Sequence, residues 1–588
     1  MDALRLWILP VASAIAVFVL LYRPIPTKKP NEGCSLLPHD HFWIYSKRVV
    51  TPNGVINGGV EIKGGRILSV VEEHGKFSNN HAVDYGEAVI MPGLIDVHAH
   101  LDDPGRAEWE GFPTGTKAAA AGGITMLVDM PLNSDPSTTT VEALKLKVDV
   151  AKGNIYVDVG FWGGLVPENA FNLTSLEGLL EAGVLGLKRA EPRAEQRRNS
   201  GGAAGKTQRG KISVEAAAKA DGRRRRRRTG AGGRAQGDGR RQTGGGGAGG
   251  RAQEAQAEAA AQADGRRRTG AGGTGGGGAG RQWSFMCPSG INDFPMTNVS
   301  HIKEALHILS KYRRPLLVHA EIELDSNNRE ELGNNLDDFQ SYSTYLKTRP
   351  PSWEQAAIGE LSKVAEDTKP GARSEGAHLH IVHLSDASIS LDLIKGHFRN
   401  TDMAIGNEAK NDGRSISVET CPHYLAFSAE EIQNGDTRFK CAPPIRDAAN
   451  KQLLWKALKE GCIDMLSSDH SPTVPQLKLL DEGDFLRSWG GISSLQLSSW
   501  WSERPAELAS QKSKGTIEKG KDADIVVWDP DSAFEIDENF TIYHKHQITP
   551  YAGRRLSGKV LATFVRGNLV YNDGLHAPAA CGVPIFAT

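Results

Sequence analysis

Six side chains of types that hold divalent cations or move protons stand at the ends of apolar runs in this chain. His98 and His100 close MPGLIDVHAH (Met91 to His100), Lys188 closes VLGLK, His319 follows PLLV, His383 follows LHIV, and Asp469 follows IDMLSS. Residues two apart on a strand project from one face, so His98 and His100 point the same way. Neutral imidazole is a good ligand for zinc-like cations. Four imidazoles, a carboxylate and a lysine can build a two-metal hydrolytic centre, in which a bound water loses its proton near neutral pH and the bond under attack is polarised. An ammonium repels cations, but a neutral Lys188 amine that captured carbon dioxide would become a carbamate and could bridge both ions. Singly, each residue has an ordinary reading: His319 and His383 as core histidines, Lys188 as a surface lysine, Asp469 as a helix cap before Ser471-Pro472. The same arrangement at five strand ends outweighs those readings.

The elements that must position these groups are visible as patterning. Residues 45 to 90 alternate apolar and polar side chains between Gly-rich turns, as antiparallel strands and hairpins do. A matching pattern closes the chain in GTIEKGKDADIVVWDPD and GKVLATFVRGNLVYNDG. Two β-rich ends flanking a long middle predict one small β-sandwich assembled from both termini. In the middle, short apolar strands (ITMLVDM, IYVDVGFWGGL, VLGLK, PLLVHAE, LHIVHLSD, ISVETCPHYL, IDMLSSDH) alternate with helical stretches. Polar groups at the C-terminal ends of parallel strands are where a (β/α)8 barrel places its active site. A doubly wound open sheet is the rival, but no GxGxxG follows a first strand. The fold expected is therefore α/β, a TIM-like barrel with a small β-sandwich.

Length and composition set the boundaries. At 588 residues the chain can bury a large core. Its formal net charge of -1 is a cancellation: residues 189 to 283 carry 22 Lys+Arg against 8 Asp+Glu, a local excess of +14, which leaves about -15 elsewhere. That acidic remainder does not read as nucleic-acid binding. Residues 189–283 are rich in Gly, Arg, Ala and Gln, and ADGRRRRRRTGAGG at 220 returns as ADGRRRTGAGG at 263. Such a segment cannot bury enough apolar surface to fold and reads as a disordered insert, an intervening sequence carried into the protein. An RNA-binding arm is the functional alternative. Residues 1–29 contain a 17-residue uncharged run, Leu6 to Tyr22, between Arg5 and Arg23, and read as a signal peptide or, in the absence of an obvious cleavage site, a membrane anchor. Sequons at Asn172, Asn298 and Asn539 agree with a secretory route. Six scattered cysteines without a CxxC pair argue against a thiolate zinc site or a disulfide scaffold. The expected order is thus targeting segment 1–29, β-sandwich 30–90, barrel 91–188, insert 189–283, barrel 284–509 and β-sandwich 510–588.

The motifs PGLIDVHAHLDDPGRAEWEGF, DMPLNS, GLK with SFMCPSGINDFP, LLVHAE, HIVHLSDA, ETCPHYL, KCAPPIRDAAN and DMLSSDHSPT resemble those of the plant-type allantoinases, in the cyclic amidohydrolase branch of the amidohydrolase superfamily. The resemblance implies hydrolysis of the ring amide of allantoin, two divalent metals (zinc, with manganese the alternative) and a homotetramer, while the N-terminal segment points to the endoplasmic reticulum or secretory pathway. It assigns His98, His100 and Asp469 to one metal, His319 and His383 to the other, and a carbamylated Lys188 to both. Asp469 is also the proton carrier, and Asn133, Ser289, Thr420 and Ala442 face the substrate, Ala442 through its backbone. His380, His423 and Asp386 stand beside ligands and read as supporting residues. Sister hydrolases acting on dihydropyrimidines or dihydroorotate share the six metal-site residues, and a non-catalytic scaffold on the same fold is the alternative from another class. The chain departs from the pattern twice. Residues 189–283 separate GLK from SFMCPSG, at the mouth of the expected site, and Leu497-Ser498 joins segments between which the family has a further helix-containing stretch. The last β/α unit is therefore expected to be truncated.

Overall fold

The computed structural model describes residues 33–72, 81–189, 295–323, 338–388, 416–497 and 501–587, all within one compact unit. The N-terminal targeting segment, Ser289 and the insert beyond Arg189 lie outside the described residues.

Strands β1 (His41–Thr51), β2 (Gly54–Lys63), β3 (Arg66–Glu72), β4 (Ala82–Asp84) and β5 (Val89–Pro92) belong to one nine-stranded sheet with β15 (Ile525–Glu535), β16 (Arg555–Val565), β17 (Asn568–Asn572) and β18 (Leu575–His576). The two ends of the chain meet where β5 pairs with β15 antiparallel, Ile90 opposite Val527. Irregularities in register between Ser46 and Val49, and along β15, bend the sheet. It curls until the β3 edge meets the segment before β15: Ile67 N–H donates to the Lys521 carbonyl at 3.0 Å, and Gly520 N–H to the Ile67 carbonyl at 2.8 Å. The apolar faces so enclosed form one core, with Phe42, Ile44, Val60, Ile62, Ile525, Val527 and Phe564 all buried. Cys34 and Cys581 form a disulfide across this assembly. Cysteine spacing gave no sign of it, because the partners are 547 residues apart.

The middle of the chain forms a ring of parallel strands in sequence order. β6 (Leu94–Ala99), β7 (Ile124–Asp129) and β8 (Asp158–Phe161) pair in turn, and the path breaks at Trp162 before resuming as β9 (Gly163–Leu165). It continues through β10 (Leu187–Arg189), β11 (Pro315–Val318), β12 (His378–Ile381), β13 (Ile416–Thr420) and β14 (Met465–Leu466). A parallel bridge between Ala99 and His470 closes the ring onto β6. Arg189, placed by sequence in the insert, is instead the last residue of β10. Its buried guanidinium donates to Thr297 Oγ1 at 2.5 Å and to the Thr297 carbonyl at 2.8 Å.

Helices cover the outside of the ring for reasons local to each. Val299–Tyr312 begins at Asn298, whose side chain accepts from His301 N–H at 3.1 Å while the His301 ring caps Asn298 N–H in return. Its buried residues Ile302, Ala305, Leu306 and Leu309 recur at helical spacing. Among the described residues, the α-helices between the ring's last strand and β15 are short: Pro475–Lys478 has four residues and Glu503–Leu508 six, against 15 in Pro351–Ala365 and 12 in Ala448–Lys459.

One buried ion cluster fastens the ring to the curled sheet. Lys514 Nζ lies 2.9 Å from Asp158 on β8 and 2.5 Å from Asp524 just before β15, and Arg566 meets the same Asp158 at 3.1 Å. Burial disfavours the charged ammonium, but Asp524 and Asp158 more than compensate and hold the Lys514 pKa above its usual value. Lys514→Met would leave the buried Asp524 without its cation and Asp158 with Arg566 alone, and is expected to lower unfolding free energy in urea by about 3–5 kcal/mol.

Candidate metal centre

β6 delivers Asp96 and His98 to one face, His100 follows one residue past its end, and all three are fully buried. Both imidazoles present Nε2 to one atom: Asp469 Oδ1 lies 3.3 Å from His98 Nε2 and 3.6 Å from His100 Nε2. Asp469 comes from the turn after β14 with a left-handed φ of 44°. His383, past the end of β12, is similarly left-handed at φ 40°. Such backbone costs of order 1–3 kcal/mol per residue, and it turns the chain at the strand end. The other pair is as close: His319 Nδ1 and His383 Nε2 are 2.9 Å apart. The rings of His98 and His383 stand 5.3 Å apart, so the two groups share one centre. Lys188 is fully buried on β10, in register with Gly164 of β9 and Leu317 of β11.

What fixes the imidazoles is a set of residues behind them. His98 Nδ1 meets Glu419 Oε1 at 2.7 Å, and the other oxygen of Glu419 meets His380 Nε2 at 3.1 Å. His380 Nδ1 and His378 Nε2 both reach Ser417 Oγ at 2.7 Å, so a hydrogen-bonded line runs from His98 down the interior of the ring. Burial pushes the Glu419 carboxyl up, but His98 and His380 outweigh it and hold the group well below the usual carboxylate range. His319 Nε2 contacts Glu321 at 2.6 Å, and Arg349 clamps Glu321 from behind. Here too burial is overcome, by Arg349 and His319, and the carboxyl falls to about 2. An imidazole held at one nitrogen by a carboxylate has its tautomer fixed and its other nitrogen made a better ligand. The donor set therefore fits divalent cations: His98, His100 and Asp469 each offer a ligand atom within 4.8 Å of the other two.

Of the residues expected on the substrate side, Asn133, Thr420 and Ala442 are among those described. Asn133, with φ 71°, has its Nδ2 3.2 Å from His100 Nδ1, which makes it a support for that ring. Thr420 spends its hydroxyl on the Leu384 carbonyl at 2.6 Å, and its own carbonyl accepts from Ser467 N–H at 3.2 Å. Ala442 is partly exposed and precedes Pro443 through a cis peptide bond. His380 acts through Glu419, whereas Asp386 holds Gln355 and Ser388. Sequence reasoning passed over Glu419 and Glu321, although Glu321 follows His319 by two on the same strand path. It also passed over His470, next to Asp469, whose Nε2 lies 3.3 Å from the buried Glu110 and whose ring stands 5.7 Å from that of His544.

A ring of parallel strands with this cluster of imidazoles and a carboxylate at its C-terminal ends defines a metal-dependent hydrolase, and residues 89–222 and 286–570 match the amidohydrolase family. Residues 37–88 match the composite domain of allantoinase. The chain is 52% identical to the allantoinase of Arabidopsis thaliana, covering 98% of this chain and 97% of that protein. It is 50% identical to a probable allantoinase of Oryza sativa subsp. japonica (99% and 97%) and 31% identical to the allantoinase of Saccharomyces cerevisiae (89% and 91%). Among solved structures, the L-hydantoinase (dihydropyrimidinase) of Arthrobacter aurescens shares the fold at TM-score 0.67 and 20% identity, covering 93% of this chain and all of that one. The chain belongs to the allantoinase family within the amidohydrolases.

Two outcomes follow from the geometry. Glu419→Gln is expected to weaken cation binding by roughly 10–100-fold, read by competition with a chelator, without loss of the fold. Burial, reinforced by His470, holds His544 down at about 4 from an ordinary 6.5. It is neutral when folded while the unfolded chain takes up a proton, so stability should drain away as pH falls from about 6.5 towards 4. His544→Gln should remove up to about 3 kcal/mol of that fall in denaturation curves taken across the range.

Proposed function

We propose that this chain hydrolyses the ring amide of allantoin to allantoate in purine catabolism. The observation that carries the proposal is the convergence of His98 and His100 on Asp469, beside the His319–His383 pair, in a chain half identical to plant allantoinases along its length. Two divalent cations, zinc or manganese, would be held by His98, His100 and Asp469 and by His319 and His383, with carbamylated Lys188 between them, and would supply an acidified water and an electrophilic pull on the ring carbonyl. Lys188 takes that part as a carbamate because a buried ammonium would repel both ions. Glu419, Asn133 and Glu321 keep the imidazoles aimed, so little reorganisation accompanies binding. Asp469 accepts the proton of the attacking water and returns it to the departing ring nitrogen, one group serving as base and then as acid. Thr420 and Ala442, the latter through its backbone, contact the hydantoin ring together with Ser289.

The same reading includes a homotetramer, with the N-terminal segment directing the chain into the endoplasmic reticulum. The Cys34–Cys581 disulfide supports an oxidising compartment. Among the described residues, no helix is long and apolar enough to cross a membrane.

The test is turnover of allantoin beside dihydrouracil and dihydroorotate, with and without chelator, on the chain as given and on one with residues 190–283 excised. Allantoin should be preferred, and chelation should abolish turnover. Asp469→Asn should lower kcat by about 10²–10⁴-fold. Lys188→Ala should do at least as much, and metal reloading under carbon-dioxide-free buffer should fail to restore the parent protein. Equal turnover in Lys188→Ala and Asp469→Asn would sink the proposal.

A further inference from the structure

Beyond the ligands already placed, one more donor group stands at the mouth of the ring. Cys421 follows β13 directly, and His423 lies in the first turn of the short helix Pro422–Ala426. The Cys421 sulfur, a His423 ring nitrogen and an Asp469 oxygen lie within 4.8 Å of one another, as the His98, His100 and Asp469 donors do. Cys421 and His423 are fully buried. Neither ring nitrogen of His423 has a hydrogen-bond partner. The ring stacks edge-on against Tyr424 at 4.2 Å and leaves both nitrogens unspent. A buried polar group without a partner costs about 1–3 kcal/mol, so an imidazole kept in this state beside a thiol and a carboxylate is a donor set lacking its acceptor. Sulfur, nitrogen and oxygen together favour zinc or cadmium over magnesium or calcium. Donors about 3.5 Å apart surround a tetrahedral zinc, a spacing that lies inside that limit.

We infer that Cys421, His423 and Asp469 form a further site for a thiophilic divalent cation, one that shares Asp469 with the hydrolytic pair and is inhibitory because it engages that carboxylate. The cation enters as the free ion in excess. It displaces the thiol proton to solvent and forms bonds to sulfur, nitrogen and oxygen, and Asp469 can then no longer carry the proton of the reaction. The inhibitory part rests on the role given to Asp469 above, whereas the binding part does not.

Cobalt(II) separates the two. The full-length chain, loaded with two equivalents, is titrated with more cobalt while near-ultraviolet absorbance and allantoin turnover are followed. The third equivalent should bring a thiolate-to-cobalt charge-transfer band and a fall in turnover. Cys421→Ser and His423→Gln should each lose the band and move the inhibitory midpoint to roughly tenfold higher cobalt or beyond. Should Cys421→Ser fail to fold, the band in the parent and its loss in His423→Gln decide. Absence of a third equivalent overturns the site, as does a band that survives in Cys421→Ser. A band arriving with the first equivalent also overturns it, by making Cys421 a ligand of the hydrolytic pair. If the chain does not act on allantoin, band and stoichiometry still report the site.

Discussion

A carboxylate with no access to solvent is costly to keep inside a barrel, and Glu419 is kept there by two imidazoles. Its oxygens hold His98 of β6 and His380 of β12 from β13 between them. Remove that charge and His98 loses its fixed tautomer, while the line of hydrogen bonds through His380, Ser417 and His378 loses its head. Glu321 does the equivalent for His319, with Arg349 supplying the countercharge. The interior of this ring is therefore organised by paired charge as much as by apolar packing. That suits a centre whose task is to keep several nitrogens aimed at one place.

Much of the fold was legible, and the reason is periodicity. Apolar runs ending in polar residues gave the ring and its order, and alternation at both ends of the chain gave the sheet built from the two termini. The ligand-type residues announced themselves because each ends a strand that has no other reason to stop in a histidine or an aspartate. The supports were harder to see. Glu419 sits inside ETCPHYL, where a charged residue in a buried strand was a signal left unread. Asn133 carries an amide able to bind either a ring or a substrate, and only the folded chain brings it to His100. The Cys34–Cys581 pairing had no local signature, since partners that distant meet only after the sheet has formed. Arg189 looked like the first residue of a basic tract, yet Thr297 takes it into the strand.

The curled sheet and the ring are coupled by chemistry of the same kind. Lys514 and Arg566 converge on Asp158, a residue of a barrel strand, from the segment before β15 and from the turn between β16 and β17. A desolvated cluster of this sort tolerates little sliding, because any displacement leaves a charge without its partner. It thus holds the end of β8 against β15 in one arrangement, and β5 runs from the sheet almost directly into β6 and its two histidines.

The bond between Cys34 and Cys581 also changes what a break in the chain can do. With its sulfurs joined across 547 residues, the polypeptide is nearly a covalent circle. One peptide cut anywhere on that circle, the basic tract included, opens it without separating anything. The two pieces stay a single molecule, and strands from both of them remain side by side in the same sheet.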